Sequence, residues 1–174
     1  MNPIKDSVHD YITLDAVAAD LLDTPTVQRL RHIKQLSTVR LVFPSANHTR
    51  LEHSLGVYHL AETALSHLDV DSERAAHVRA AALLHDVGHG PYGHQTEQLI
   101  QRRTGLDHDE VGWLLTDSDR PVCRALERNG LEPERVAAYV AGEGTLGQLV
   151  SGELDVDRMD YLVRDAHHTG VPYG

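Results

Sequence analysis

The stretch AAALLHDVGHG, residues 80–90, decides the fold. An apolar helical run ends there in His85 and Asp86, directly before a glycine-rich break. A buried helix would hold an imidazole and a carboxylate at its end, where unpaired polar groups cost several kcal/mol. A metal ion would satisfy both side chains. The alternative is a helix C-terminus with a capping histidine and an exposed aspartate, and this stretch alone leaves both interpretations open.

The sequence on both sides of this stretch is predominantly helical in pattern. A short strand or turn is predicted over 7–13, and a second short strand around 40–43. We find no alternation of strands and helices and no repeat, so the predicted fold class is all-α with a small N-terminal β-hairpin. Helices are predicted at residues 15–22, 25–36, 50–68, 72–87, 94–103, 107–117, 121–128, 133–141 and 155–168.

Length and charge limit the classes of function. A chain of 174 residues suits one domain, predicted here over 1–174 as a whole protein or as the N-terminal part of a longer one. Its 26 acidic and 16 basic residues give a net charge of −10, which disfavours non-specific nucleic-acid binding. Such an acidic, lysine-poor composition suits a saline cytoplasm.

Two further features bear on the compartment and on covalent cross-links. There is neither a signal-peptide core nor an apolar run near the roughly 20 residues of a membrane span, so a soluble cytoplasmic protein without membrane partners is expected. The single cysteine, Cys123, excludes an internal disulfide framework and a zinc-thiolate cluster.

Additional metal-ligand candidates lie outside the central stretch. His53 occurs in RLEHSLG, one turn after Arg50, and Asp155 and Asp157 begin the last predicted helix. The alternatives are a hydrogen-bonded core histidine and carboxylates favoured by the helix dipole. The apolar residues of the last helix are predicted to face the core: Met159, Leu162 and Val163.

The order of these residues, H…HD…D, resembles the HD-domain metal-dependent phosphohydrolases. The resemblance implies an HD-domain helical bundle in which one divalent ion is bound by His53, His85, Asp86 and Asp157. Mixed nitrogen and oxygen ligands admit Mn, Fe, Co, Ni or Zn, with Mg at a second, phosphate-bridged position. Two imidazoles and two carboxylates would leave coordination positions for water and a phosphate oxygen.

Three longer stretches, residues 23–57, 83–94 and 153–170, are similar to the deoxynucleoside triphosphate (dNTP) triphosphohydrolase branch of that superfamily. The similarity implies hydrolysis of a dNTP to a deoxynucleoside and triphosphate. It assigns His94 as the acid that protonates the leaving 5′-oxygen, with Glu97 orienting the ring and raising its pKa. Without the neighbouring HD motif, the pair would be a surface contact between residues three apart.

The same resemblance implies a set of substrate contacts. Phosphate oxygens would be contacted by arginines and histidines, the sugar 3′-hydroxyl by an amide and a carboxylate, and the sugar by a tyrosine. These residues are Arg50, Arg158, His89, His108, Gln35, Asp165 and Tyr161. The alternatives are solvent-exposed loop or helix-cap histidines for the two histidines and a core aromatic for Tyr161.

Enzymes of the mammalian type in this branch bind nucleotide activators at subunit interfaces. The matching positions are Asp23, Gln28 and Arg31, whose alternative is ordinary helix-surface polarity. Homo-oligomerisation is therefore expected. Family members are commonly longer, and the residues that exclude a ribose 2′-hydroxyl have no counterpart here, which leaves sugar selectivity open.

Two other functional hypotheses remain. The first is an HD phosphohydrolase acting on another nucleotide, as a 5′-nucleotidase, phosphodiesterase or alarmone hydrolase. The second is a catalytically silent nucleotide sensor that retains its metal for structure. Triphosphate release would distinguish the leading hypothesis from the first of these, and any turnover would exclude the second.

Overall fold

The chain begins with a small β-hairpin, as predicted. A computed structural model describes residues 3–172, so residues 1–2 and 173–174 of the predicted domain lie outside it. Strand β1 (Ile4–Asp6) pairs antiparallel with β2 (Asp10–Ile12), with Ile4 opposite Ile12. This two-stranded sheet is the only one within the described residues, and the all-α prediction with an N-terminal hairpin is confirmed.

Ten α-helices follow in the described part of the chain. They are α1 (Ala16–Leu22), α2 (Pro25–Gln28), α3 (Arg50–Leu65), α4 (Ser72–Leu84), α5 (His94–Thr104), α6 (Gly112–Leu115), α7 (Pro121–Arg128), α8 (Pro133–Val140), α9 (Gly144–Val150) and α10 (Val156–Thr169). Short 3₁₀ turns occur at Arg29–His32, Val39–Leu41 and His85–Gly88. No helix between residues 3 and 172 combines the length and apolar character needed to cross a bilayer.

Side-chain caps explain where several helices begin. Asp15, Asp71 and Asp155 each accept a hydrogen bond from the backbone N–H three residues later. Thr49 and Glu52 form a capping box at the start of α3. The predicted helix start at Ser72 is confirmed, and Asp155 is a helix cap rather than a free carboxylate. The predicted starts at Pro25 and Pro121 are also confirmed, with proline in the first turn and no side-chain cap.

The core lies around α3 and α4, which pack against each other, and α10 also packs against α3. Tyr58 on α3 and Leu83 and Leu84 on α4 are fully buried in this centre. The start of α3, the end of α4 and the start of α10 lie close together, since residues at these three ends are within 4 Å of one another. That arrangement brings distant parts of the sequence to a single site.

The segment after Pro25 differs from the predicted long helix. The helical path ends after His32, because Ile33 is extended and accepts a hydrogen bond from the backbone N–H of Arg50. The next residue, Lys34, pairs with Thr49. The strand predicted around residues 40–43 is wrong, since Val39–Leu41 forms a 3₁₀ turn.

Two other helix predictions need correction. The helix predicted over 107–117 is reduced to α6, four residues long. Helix α9 was not predicted, because Gly144 and Gly147 lower its helix propensity.

The orientation of α10 is opposite to the predicted one. Met159 and Leu162 are 44% and 57% exposed, and Val163 is half-buried. The buried side of the helix carries Asp160 and Arg164 instead. A charged face can be buried here because Arg164 donates hydrogen bonds to both Asp160 and the buried Asp6.

Candidate metal centre

His53, His85 and Asp157 converge from three helix ends. His53 lies in the first turn of α3, His85 follows the end of α4, and Asp157 lies in the first turn of α10. The Nε2 atoms of His53 and His85 are 3.2 Å apart, and His53 Nε2 is 2.9 Å from Asp157 Oδ1. His85 Nε2 lies 3.7 Å from the same oxygen. One donor atom of each residue could thus contact a common ion.

Asp86, the fourth predicted ligand, borders this group. Its Oδ1 is 3.6 Å from His85 Nε2, and its Oδ2 is 3.9 Å from His53 Nε2. Each of these oxygens also contacts one further side chain. Arg50 Nη1 donates to Oδ2 at 2.6 Å, and His89 Nε2 lies 3.3 Å from Oδ1. The structure therefore places Asp86 next to the other three predicted ligands, but only His53, His85 and Asp157 have donor atoms that all lie within 4.8 Å of one another.

The hydrogen bonds of the two Nδ1 atoms determine which ring nitrogens would face a bound ion. His85 Nδ1 lies 2.9 Å from the carbonyl oxygen of Ala82, which can only accept, so that nitrogen carries the proton. His53 Nδ1 lies 2.8 Å from Asp160 Oδ2 and donates to this carboxylate. Both Nε2 atoms then present lone pairs towards each other, an arrangement that needs a cation between them.

The donor set fits a divalent ion. Bonds of about 2.0–2.2 Å place neighbouring ligand atoms about 3–3.5 Å apart, and the separations of 2.9–3.7 Å among His53, His85 and Asp157 lie close to that range. Imidazole nitrogen with carboxylate oxygen suits Mn, Fe, Co, Ni or Zn. The residues present are therefore able to hold such an ion.

The electrostatics of this group also call for positive charge. Burial alone would lower the pKa of His53, but hydrogen bonds to Asp157 and Asp160 outweigh it and raise that pKa to about 10. Burial would raise the pKa of Asp86, yet His85 and Arg50 hold it well below its ordinary value. The pKa of Asp157 is also lowered, by its contacts with the two histidines against the effect of burial. The carboxylates are ionised, and without a metal a proton takes the place of the cation.

The sequence interpretation missed the buried residues behind His53. Asp160 contacts His53, His9 Nε2 at 2.6 Å and Arg164 Nε at 2.8 Å. Arg164 is fully buried and also donates to Asp6 Oδ2 at 2.9 Å, which fastens the hairpin to α10. The spacing of Asp160 and Arg164, four residues apart in a helix, is the signal that could have identified this pair.

His94 and Glu97 lie together as predicted, with other histidines around them. His94 Nδ1 is 3.2 Å from Glu97 Oε2, and the other oxygen of Glu97 contacts His108 Nδ1. The ring of His89 stacks on that of His108 with centroids 4.1 Å apart. Four predicted residues therefore form one cluster beside Asp86, and His89 is buried rather than an exposed loop residue.

The predicted rise in the pKa of His94 is wrong. Burial, followed by the positive charges of Arg50 and His108, lowers the pKa of His94 below its ordinary value. The pKa of His89 is lowered to about 4, mainly by burial. Both rings are therefore neutral near pH 7 in the free protein.

Gln35 and Asp165 are associated with the same residue, His48. The backbone N–H of Gln35 donates to the carbonyl of His48, whose ring Nε2 lies 2.8 Å from Asp165 Oδ1. Gln35 Oε1 is buried without a hydrogen-bond partner. His48, itself buried, was not singled out from the sequence.

Arg158 and Tyr161 lie near the ligands in sequence but contact each other instead. Arg158 Nε donates to the Tyr161 hydroxyl at 3.3 Å, and its Nη1 donates to the carbonyl of Glu153. Within residues 3–172, no hydrogen bond or ion pair joins either side chain to the four predicted ligands. Tyr161 is partly exposed, so the alternative of a core aromatic is wrong.

The three residues matched to an activator site lie at the junction of α1 and α2. Asp23 is exposed and follows α1, and Gln28 donates to the carbonyl of Leu22 at 2.7 Å. Arg31 donates to Gln28 Oε1 at 2.7 Å. These contacts are those of ordinary surface polar residues, and an activator role stays a prediction.

Comparison with protein families gives a match to the HD domain over residues 50–165. Among curated proteins, the chain is 42% identical over 185 residues to the uncharacterized protein YwfO of Bacillus subtilis, covering 98% of this chain and 41% of that protein. It is 31% identical over 211 residues to the human deoxynucleoside triphosphate triphosphohydrolase SAMHD1, covering 98% of this chain and 34% of that enzyme.

A solved structure supports the same grouping. A phosphohydrolase from Bacteroides thetaiotaomicron superposes with a TM-score of 0.85 at 35% sequence identity, covering all of this chain and 44% of that one. The chain thus spans between about a third and a half of the length of these relatives.

Proposed function

The chain belongs to the HD domain family, and on that premise we propose that it is a metal-dependent phosphohydrolase that cleaves a dNTP into a deoxynucleoside and triphosphate. The observation that carries the proposal is the convergence of His53, His85 and Asp157 around one point, with Asp86 beside it. The similarity to SAMHD1, named as a dNTP triphosphohydrolase, supports the choice of substrate.

When bound, a divalent ion would supply Lewis acidity and lower the pKa of water to near neutrality. The chain's own residues would provide the remaining functions. Arg50, held by Asp86, would add positive charge close to the phosphates. His94 would donate a proton to the 5′-oxygen as its bond to the α-phosphorus breaks, while Glu97 fixes the ring at Nδ1.

The low pKa of His94 in the free protein has a consequence for this step. A neutral imidazole cannot donate the required proton, so His94 must take one up before it acts. The negative charge of a bound triphosphate would raise its pKa and favour that uptake. Substrate binding and protonation of His94 are therefore expected to be coupled.

Product analysis tests the proposal. The four dNTPs and four rNTPs would be incubated separately with the protein and Mn²⁺, and every product would be resolved. We expect triphosphate and a deoxynucleoside from the dNTPs. Release of pyrophosphate or monophosphate would instead favour another HD phosphohydrolase, and the absence of turnover with any of several metals would favour a nucleotide sensor.

The variant His94→Ala tests whether His94 is the general acid that protonates the 5′-oxygen. It should reduce turnover by about 100-fold or more, because acid catalysis contributes about 10²–10⁴-fold. Binding of Mn²⁺ should persist, since His94 does not contact the four proposed ligands. His67→Ala, an exposed histidine at the end of α3, is the matched control and should retain activity. Full activity in His94→Ala would remove His94 from the mechanism.

A further inference from the structure

Two histidine–aspartate contacts join the start of α3 to one face of α10. One is the contact of His53 with Asp157 in the proposed metal centre, and the other is the contact of His48 Nε2 with Asp165 Oδ1 at 2.8 Å. Asp157 and Asp165 are eight residues apart, so they share a helix face with about 12 Å of rise between them. A ligand that is bound at the metal centre and extends along this face would therefore reach Asp165.

His48 is held so that its ring cannot turn away from Asp165. The side chain is fully buried, and the ring of His168 stacks on it with centroids 4.5 Å apart and planes 18° apart. Because the carboxylate of Asp165 only accepts hydrogen bonds, Nε2 of His48 carries a proton and donates to it. One oxygen of Asp165 is thus fixed, and the side chain is still 25% exposed, so it can also accept a hydrogen bond from a ligand.

The backbone of His48 holds a second polar residue. Its carbonyl oxygen accepts a hydrogen bond from the backbone N–H of Gln35 at 3.1 Å. Gln35 Oε1 and His48 Nδ1 are both buried, and neither atom has a hydrogen-bond partner within residues 3–172. Buried polar atoms without a partner are rare in folded proteins and call for a water or a ligand group. An amide oxygen and a carboxylate oxygen both accept, so the group that suits them is a hydroxyl.

We infer that His48 is a positioning residue that enables the site to recognise the 3′-hydroxyl of a nucleotide sugar. The sugar of a dNTP has only this free hydroxyl, because its 2′ carbon carries none and its 5′-oxygen is esterified. His48 would act through Asp165, which its ring holds, and through Gln35, which its backbone holds. The inference rests on the proposed function, because it takes the triphosphate to lie at the metal centre and the sugar to follow along α10.

The test compares each of the four dNTPs with the matching 2′,3′-dideoxynucleoside triphosphate, which lacks the hydroxyl. With Mn²⁺, kcat/KM of the parent should favour the dNTP by about 10-fold or more, the usual contribution of a hydrogen bond to a charged group. His48→Leu removes the donor but keeps a side chain of similar size. It should lose most of this preference through slower turnover of the dNTP, whereas a purely structural role would slow both nucleotides equally.

Two further variants make the result specific. His48→Gln carries an amide N–H that can reach the position of Nε2, so it should restore much of the preference. His77→Leu is the matched control, because His77 is a buried histidine of α4 whose ring nitrogens contact the backbone of Glu73 and Glu132. Its preference for the dNTP should equal that of the parent. Circular dichroism would establish that each variant is folded.

Binding measurements separate this inference from the proposed function. Dissociation constants of both nucleotides, measured by equilibrium dialysis in the His94→Ala background, give the same comparison without turnover. A folded His48→Leu protein that keeps the preference of the parent, or a parent that binds both nucleotides equally or not at all, would overturn the inference. Binding that depends on the 3′-hydroxyl and on His48, in a protein that releases no triphosphate, would support the inference and contradict the proposed function.

Discussion

His53 is held at both of its ring nitrogens. Nδ1 donates to Asp160, and Nε2 faces His85 and Asp157. Asp160 is itself held by Arg164 and His9, so the ring has little freedom to turn. At the scale of single residues, the proposed metal centre therefore depends on a carboxylate that would not touch the ion.

The variant Asp160→Asn tests this dependence. Loss of the negative charge should weaken Mn²⁺ binding by about 10–100-fold, because partners of ligating histidines contribute that much to affinity. Isothermal titration calorimetry measures the effect, and Asp69→Asn, an exposed position, is the matched control. Unchanged affinity in a folded Asp160→Asn protein would show that Asp160 does not orient His53.

Metal binding should also release protons. The folded-state pKa of His53 is raised to about 10, above the ordinary value of 6.5, so the metal-free ring is protonated at pH 8. Its contribution to stability is present below about pH 6.5 and is lost as the pH rises through about 10. An ion must displace this proton, so calorimetry in buffers of different ionisation enthalpy should detect at least about one proton released per ion at pH 8. Binding without proton release would contradict the assignment of His53 as a ligand.

At the scale of elements, the contact between α3 and α10 depends on a glycine. A Cβ at Gly56 would lie 1.9 Å from Asp160 Oδ1 and 2.5 Å from Arg164 Nη2. Position 56 must stay small so that the buried ion pair of α10 can lie against α3. The same contact holds Asp157 near His53, so the packing of α10 against α3 also determines where these two candidate ligands lie.

Gly56→Ala should lower the free energy of unfolding by about 1–3 kcal/mol or more, the usual cost of overpacking. Gly112→Ala is the matched control, because a Cβ there meets nothing within 4 Å and alanine favours a helix. Urea denaturation of both variants makes the comparison. Equal stability of Gly56→Ala and the parent would mean that α10 has room to move away.

The local elements were largely predictable, but the way they face each other was not. Caps and prolines such as Asp71 and Pro121 act within a few residues, so the sequence predicts where α4 and α7 begin. The burial of Asp160 and Arg164 instead of Leu162 depends on Asp6, more than 150 positions away. The candidate HD ligands were predicted from a motif, whereas Asp160 and His48 contact their partners only through the tertiary fold.

At the scale of the whole molecule, negative charge dominates. The chain carries a net charge of −10 and only two lysines. Ion pairs between individual residues leave this net charge unchanged. Repulsion between exposed carboxylates opposes the compact state, and salt screens it.

Salt should therefore stabilise the fold. Raising KCl from 0.1 to 1 M shortens the screening length from about 10 to about 3 Å, so the free energy of unfolding should increase. Urea denaturation at the two concentrations measures the change, and a parallel series in sucrose separates screening from general solute exclusion. Equal stability at both concentrations would contradict the interpretation of the acidic surface as an adaptation to salt.

The buried chain of contacts from the hairpin to the proposed metal centre has an evolutionary consequence. Asp6, Gly56, Asp160 and Arg164 fit one another so closely that replacing any one alone leaves a clash or an uncompensated charge. Across homologous sequences, these four positions should co-vary as a set, with a larger residue at 56 appearing where the acidic–basic pair is lost. Homologous sequences would then include many natural variants in which this set of four residues has been lost or replaced.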